Sequence, residues 1–304
     1  MDRSDVVDTV EAIIDNARKN IKDDGLNLVP ININPFLYVI MAERYSKFFP
    51  GSDYKSAFLD VNRYGLRSDE FVKKHDGMHV LFAGCSFTMA EGLKREDGWA
   101  YQVYNHISKN TQTSGYFNIG ICGASFTRII NQIYAYMDEF GVPEKLFVFF
   151  PDLGRERFST DRDLFVDEQW HDKSAIKAMD SKANTPVSMT VLKEHLDNFE
   201  TTCKLLNIDL YIMTWTYAVD YGLAVLDFIN EKGMINPLDH LKNKLIKVDF
   251  EENKEYNRDA RMYDKFDYTN PFMEHAMDNA HPGIVDHTYF ATKFIEEYDR
   301  RNNV

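Results

Sequence analysis

The sequence predicts an α/β fold, a three-layer α/β/α sandwich built on a mainly parallel sheet. Three observations lead there. Short apolar runs of strand length recur at about 78–83, 116–121, 145–150 and 208–215, the pattern of strands buried on both faces. The first two end in small-residue turns, Gly84-Cys85-Ser86 and Cys122-Gly123-Ala124-Ser125, that lead into helical stretches. The order strand, turn, helix, strand then repeats, as it does where helices cover both sides of a parallel sheet.

Taken in order, Val6, Val7, Val10, Ile13, Ile14, Ala17 and Ile21 recur at near-helical spacing over 4–23, with charges between them. This predicts an amphipathic helix, ended by Asp23-Asp24-Gly25. Asn32 to Pro35 reads as a turn or extended link, and Phe36 to Phe49 as a second helix closed by Pro50-Gly51. Residues 1–58 are thus expected to be a helical extension packed on a main domain of 59–304. Asp60 to Glu70 carries turn chemistry around Asn62 and Gly65 and reads as a loop.

After the first strand, Trp99, Tyr101, Val103, Tyr104 and Ile107 mark a helix from about Gly98 to Ser108. Tyr116 to Ile121 is the second strand and Phe126 to Phe140 its helix, stopped by Gly141 and Pro143. Lys145 to Phe150 is the third strand. A helix from about Ser188 to Leu206 leads through Asn207 into the fourth, Ile208 to Trp215, and Val285 to Tyr298 forms a terminal helix. The segments 152–187 and 216–275 are longer than ordinary connections and are expected to be insertions forming a lid or a substrate wall.

Composition narrows the function. With 304 residues and 44% hydrophobic content the chain can bury a sizeable core. A formal charge of −13 argues against general nucleic-acid binding, which needs a Lys/Arg surface against phosphates. The three cysteines, Cys85, Cys122 and Cys203, form no disulfide framework and have no metal-type spacing, as in a reducing compartment. Asp2, Asp5 and Asp8 crowd the start, and no apolar run there is long enough for a signal or membrane span. The expectation is a soluble cytoplasmic protein without membrane or nucleic-acid partners and without a cofactor or metal; a larger assembly is compatible with it.

In parallel sheets ligands bind at the carboxyl ends of the strands, where both small-residue turns lie. Ser86 stands on the first of them. A serine hydroxyl needs a base to remove its proton, and the base needs a third group to orient it. Met277-Asp278-Asn279-Ala280-His281-Pro282-Gly283 supplies both, with Asp278 three residues before His281 on a turn. Cys85 reads as a small packing residue, since free cysteine is commonly buried. Trp215, ending the fourth strand, is a candidate for lining a substrate pocket. His281, Asp286 and His287 are close enough in sequence to suggest a metal cluster, but without a second ligand set they do not make one.

Four stretches give the chain a family resemblance. Gly84-Cys85-Ser86-Phe87-Thr88 resembles the first block of the SGNH, or GDSL-like, hydrolases, with Cys85 in place of the more usual Asp. Asn118 to Ser125 is similar to the second block and Asp278-Asn279-Ala280-His281-Pro282 to the last. Asn62-Arg63-Tyr64-Gly65-Leu66-Arg67 is similar to a lead-in found in many members.

Over about 60–293 the resemblance implies a flavodoxin-like sheet, Ser86 as nucleophile, His281 as general base and then acid, and Asp278 as the orienting carboxylate. The amides of Ser86 and Gly123 would be oxyanion donors, each worth about 3–4 kcal/mol of barrier. It implies a small acyl ester as substrate, such as an O-acetyl group on a carbohydrate, or transfer of the acyl group to another alcohol.

The third block departs from the family. Where an asparagine donor is usual, the chain reads Phe149-Phe150-Pro151-Asp152-Leu153-Gly154-Arg155, so Arg155 is the candidate replacement and Asp152 a candidate substrate contact. That departure leaves open a non-catalytic binding or structural protein on the same fold. First blocks of this form are frequent among microbial and viral members, so a viral origin fits as well.

Overall fold

In the computed structural model, residues 3–23, 25, 35–151, 153, 185–216, 220–248, 276–278 and 281–303 are described. Five parallel strands form one sheet: β1 (Val80–Gly84), β2 (Phe117–Asn118), β3 (Lys145–Phe150), β4 (Asp209–Thr214) and β5 (Leu245–Ile246). Their order is β2-β1-β3-β4-β5, the flavodoxin-like arrangement, with helices on both faces. The fold class expected from the alternating pattern is the one observed.

The central strand β3 reads Lys-Leu-Phe-Val-Phe-Phe and is buried throughout, because layers cover it on both sides. Its odd positions face helices α5 (Trp99–Ser108) and α9 (Ile284–Asn302): Phe147 and Phe149 both meet Phe294, and Phe149 also meets Trp99 and Phe290. Its even positions face α6 (Phe126–Phe140) and α7 (Thr185–Leu205), with Phe150 stacked on Phe126 at 4.6 Å and edge-on to Phe199. Across the strands, Phe82, Phe147 and Tyr211 occupy one register row, and their rings stack at 5.3 and 4.4 Å.

Helices α1 (Arg3–Asp23), α2 (Pro35–Phe48) and α3 (Tyr54–Phe58) precede the sheet. The i, i+4, i+7 stripe of α1, with Val6, Val10, Ile14, Ala17 and Ile21 buried, joins the same apolar core as the sheet.

Three local features differ from the expectations. The second strand pairs for two residues only: Asn118 Oδ1 accepts the Gly120 N–H at 2.8 Å and bends the chain, while Ile119 and Ile121 still donate to Phe82 and Gly84. Within 216–275, expected to be an irregular insertion, stand helix α8 (Asp220–Glu231) and the edge strand β5. Two residues among lysines are too short a run to show strand periodicity. A one-turn helix, α4 (Ser86–Met89), begins at the serine itself.

Candidate active site

β1 is buried along its whole length and delivers the chain to the carboxyl edge of the sheet, where Ser86 opens α4. Thr88 and Met89 donate to the Cys85 carbonyl, and Ala90 closes the turn in the left-handed region at φ 58°. That reversal brings the Glu91 N–H onto the Ser86 carbonyl at 3.1 Å. Ser86 is 1% exposed.

Three side chains and one glycine hold this turn. Asn118 Nδ2 donates to the Thr88 carbonyl at 2.7 Å. Gly120 allows the second-block backbone to touch it, because a Cβ there would stand 2.7 Å from Met89 N and 2.9 Å from the Thr88 carbonyl carbon. Asn62 Oδ1 accepts the amides of Tyr64 and Leu66, curling the lead-in loop so that Arg67 points inward. The buried Arg67 then donates to Ala90 O and Leu93 O, each at 2.6 Å, and to Phe58 O at 2.8 Å. A guanidinium offers five donors in a fixed fork, which suits it to several carbonyls at once.

The histidine stands just before α9. His281 Nδ1 donates to Asp278 Oδ2 at 2.5 Å, and the His281 backbone N–H donates to the other oxygen at 3.1 Å. Held twice by one carboxylate, the ring has a fixed tautomer and Nε2 faces away from Asp278. Phe87 packs edge-on to the imidazole, 6.3 Å between centroids. Met277 N–H donates to Gly92 O, and Arg44 of α2 donates to Met277 O at 3.1 Å and Ala276 O at 3.4 Å. Gly92, at φ +82°, has no room for a Cβ, which would lie 2.9 Å from Asp278 Cγ.

Two groups meet His281 that spacing in the sequence did not single out. Glu91 Oε2 lies 3.5 Å from Nε2 on a side chain with no exposed surface, and neither oxygen of Glu91 accepts a hydrogen bond among the described residues. Cys122 brings its sulfur to the same place: ligand atoms of Glu91, Cys122 and His281 all lie within 4.8 Å of one another. The one available signal for Glu91 was a lone acid in the apolar stretch Met89-Ala90-Glu91-Gly92-Leu93. Tyr38 of α2 is close as well. Burial pushes its phenol above the ordinary range; Arg67 opposes this, while Glu91, Cys122 and Asp278 add to it.

Of the other candidates, Gly123 is half-buried at φ +68° on the turn after β2. Among the described residues no backbone carbonyl takes the amide of Ser86 or Gly123. Trp215 is 3% exposed with its ring 4.5 Å from Phe87, so it packs behind the Ser86 turn. Asp152 and Arg155 lie outside the described residues. His287 has other work: its Nδ1 accepts the Trp99 N–H at 3.1 Å and caps α5. Burial, helped by His281 and Arg67, pushes it down to about 3, so it is neutral near pH 7.

No family model matches the chain, and no curated protein matches it. Among solved structures it is similar to TesA, at 13% identity and a TM-score of 0.40, over 70% of this chain and 94% of that one. The likeness is one of overall fold. Among the described residues no helix is long and apolar enough to cross a membrane.

Proposed function

We propose that the protein is a serine ester hydrolase of the SGNH type that works through an acyl-enzyme. The observation that carries this reading is the Asp278–His281 pair, whose Nε2 lies 3.5 Å from Glu91, on the turn that Ser86 opens. In this reading Ser86 Oγ attacks the ester carbonyl and its proton passes to His281 Nε2. Asp278 holds the ring and balances the imidazolium. The oxyanion rests on the amides of Ser86 and Gly123, with Arg155 as the third donor. The imidazolium returns the proton to the leaving alcohol, and a water activated by His281 then releases the acid.

The substrate in this proposal is a small acyl ester or an acylated carbohydrate, with Asp152 as a candidate contact. Transfer to an alcohol instead of water would use the same acyl-enzyme. One observation favours a second, non-catalytic reading: the carboxylate of Glu91 already faces Nε2.

Turnover of p-nitrophenyl acetate and labelling by a fluorophosphonate separate the two readings. Labelling of the parent that is lost in Ser86→Ala supports the hydrolase. A folded parent that neither labels nor turns over supports the binding protein, and turnover that persists in Ser86→Ala removes the mechanism.

A further inference from the structure

We propose that Glu91, Cys122 and His281 form a binding site for a zinc-type divalent cation, sharing the imidazole with the serine chemistry. The three residues arrive from three separate turns, after β1, after β2 and before α9, so no ligand spacing in the sequence announces them.

The geometry fits a metal better than an ion pair. A charge-assisted N–H to carboxylate bond closes to about 2.7–2.9 Å. Glu91 Oε2 and His281 Nε2 are 3.5 Å apart, close to the edge of about 3.3–3.5 Å that a tetrahedral zinc with ligands near 2.0–2.1 Å requires. The cysteine sulfur is within 4.8 Å of both. Glu91 is a fully buried carboxylate with no hydrogen-bond donor among the described residues, a costly arrangement unless a cation meets it. Arg67, the buried cation of this region, directs its donors to backbone carbonyls instead.

Behind the histidine, Asp278 takes the Nδ1–H, the carboxylate–histidine arrangement that orients a metal-binding imidazole and raises its basicity. A mixed nitrogen, sulfur and carboxylate set selects Zn²⁺ or Co²⁺ over Mg²⁺ or Ca²⁺. On binding, the Cys122 thiol loses its proton to the buffer, so one glutamate and one thiolate balance the two charges of the ion. Three protein ligands among the described residues leave a fourth position to a further group. With the metal on Nε2, His281 cannot take the proton of Ser86; this last consequence rests on the hydrolase reading, whereas metal binding does not.

The test is a titration of the chelator-treated full chain with Co²⁺, followed optically, and with Zn²⁺ in competition. We expect one equivalent to bind, with the ligand-field bands of a tetrahedral site and a thiolate-to-cobalt band that Zn²⁺ abolishes. Cys122→Ser should lose the thiolate band, Glu91→Gln should weaken binding about 10-fold or more, and Asp278→Asn about 10–100-fold. Ser86→Ala should bind like the parent, which keeps this test apart from the fate of the hydrolase reading. A folded parent without the thiolate band, or a band unchanged in both Cys122→Ser and Glu91→Gln, overturns the site.

Discussion

The turn bearing Ser86 and the loop bearing His281 meet at one place but are anchored to different parts of the molecule. The serine turn is fixed by the sheet. It continues β1, Asn118 of the neighbouring strand holds its Thr88 carbonyl, and Arg67 ties its far end to Phe58. The histidine loop has other supports. It leans on Gly92 O and on Arg44 of α2, and the helix that follows it places His287 against the start of α5. Ser86 is thus held by the sheet, whereas His281 is held by the end of the serine turn and by a helix of the N-terminal extension.

The largest expected effects fall on the chemistry both sides share. Ser86→Ala and His281→Ala should each lower p-nitrophenyl acetate turnover by at least about 10³-fold while leaving the thermal transition in place. Unequal losses would show that one side acts without the other. Next comes the anchor of the serine side. Arg67→Met removes donors to three buried carbonyls and should cost on the order of 3 kcal/mol in urea unfolding. Arg67→Lys should rescue little of it, since one ammonium cannot span carbonyls from two segments.

The histidine side should respond in the opposite manner. Arg44→Ala frees only two carbonyls at a half-buried contact, so stability should change by less than about 1 kcal/mol. The same substitution should lower kcat/KM about 10-fold, because the base is held less firmly in line. If Arg44→Ala costs as much stability as Arg67→Met and leaves kcat/KM of the folded protein untouched, the contrast between the two anchors is wrong.

The smallest effect concerns pH. His287 sits near 3 in the folded protein and at the ordinary value of about 6.5 when unfolded. Between those values the unfolded chain binds the proton and the native chain does not. Stability is therefore fully present above about 6.5 and is lost on acidification, by up to about 1.4 kcal/mol per pH unit. His79, also pushed down to about 3 by burial with His75 beside it, contributes in the same direction. The difference between parent and His287→Asn urea midpoints across this range isolates the share of His287, and equal pH slopes would remove it.

Much of the fold could be read from the residues. β3 and α6 fall at the expected bounds because a five-residue apolar run between Lys145 and Pro151 and a helix closed by Gly141 leave little choice. β5 and α4 could not be read, since two and four residues carry no period. In the site, Asp278 and His281 were legible because three residues on one turn bring a carboxylate to an imidazole. Glu91, Cys122, Arg44 and the carbonyl grip of Arg67 were not. Each depends on where separate turns arrive in space, and only the packing of the sheet decides that.

The row Phe82, Phe147 and Tyr211 acts as a ruler for the site. Those rings fix how far β1 slides along β3 and β4. A slip of β1 by one residue would turn Phe82 away from Phe147 and carry Ser86 about 3.3 Å along the strand axis. The height at which the serine stands is therefore set by three aromatic rings deep in the core, on residues that touch no reacting atom. Tyr211 adds a polar stop at one end of the row, bonded through its hydroxyl to Asp209 at 2.7 Å and to Asn302 at 3.1 Å. In this protein the reach of Ser86 is a property of strand register.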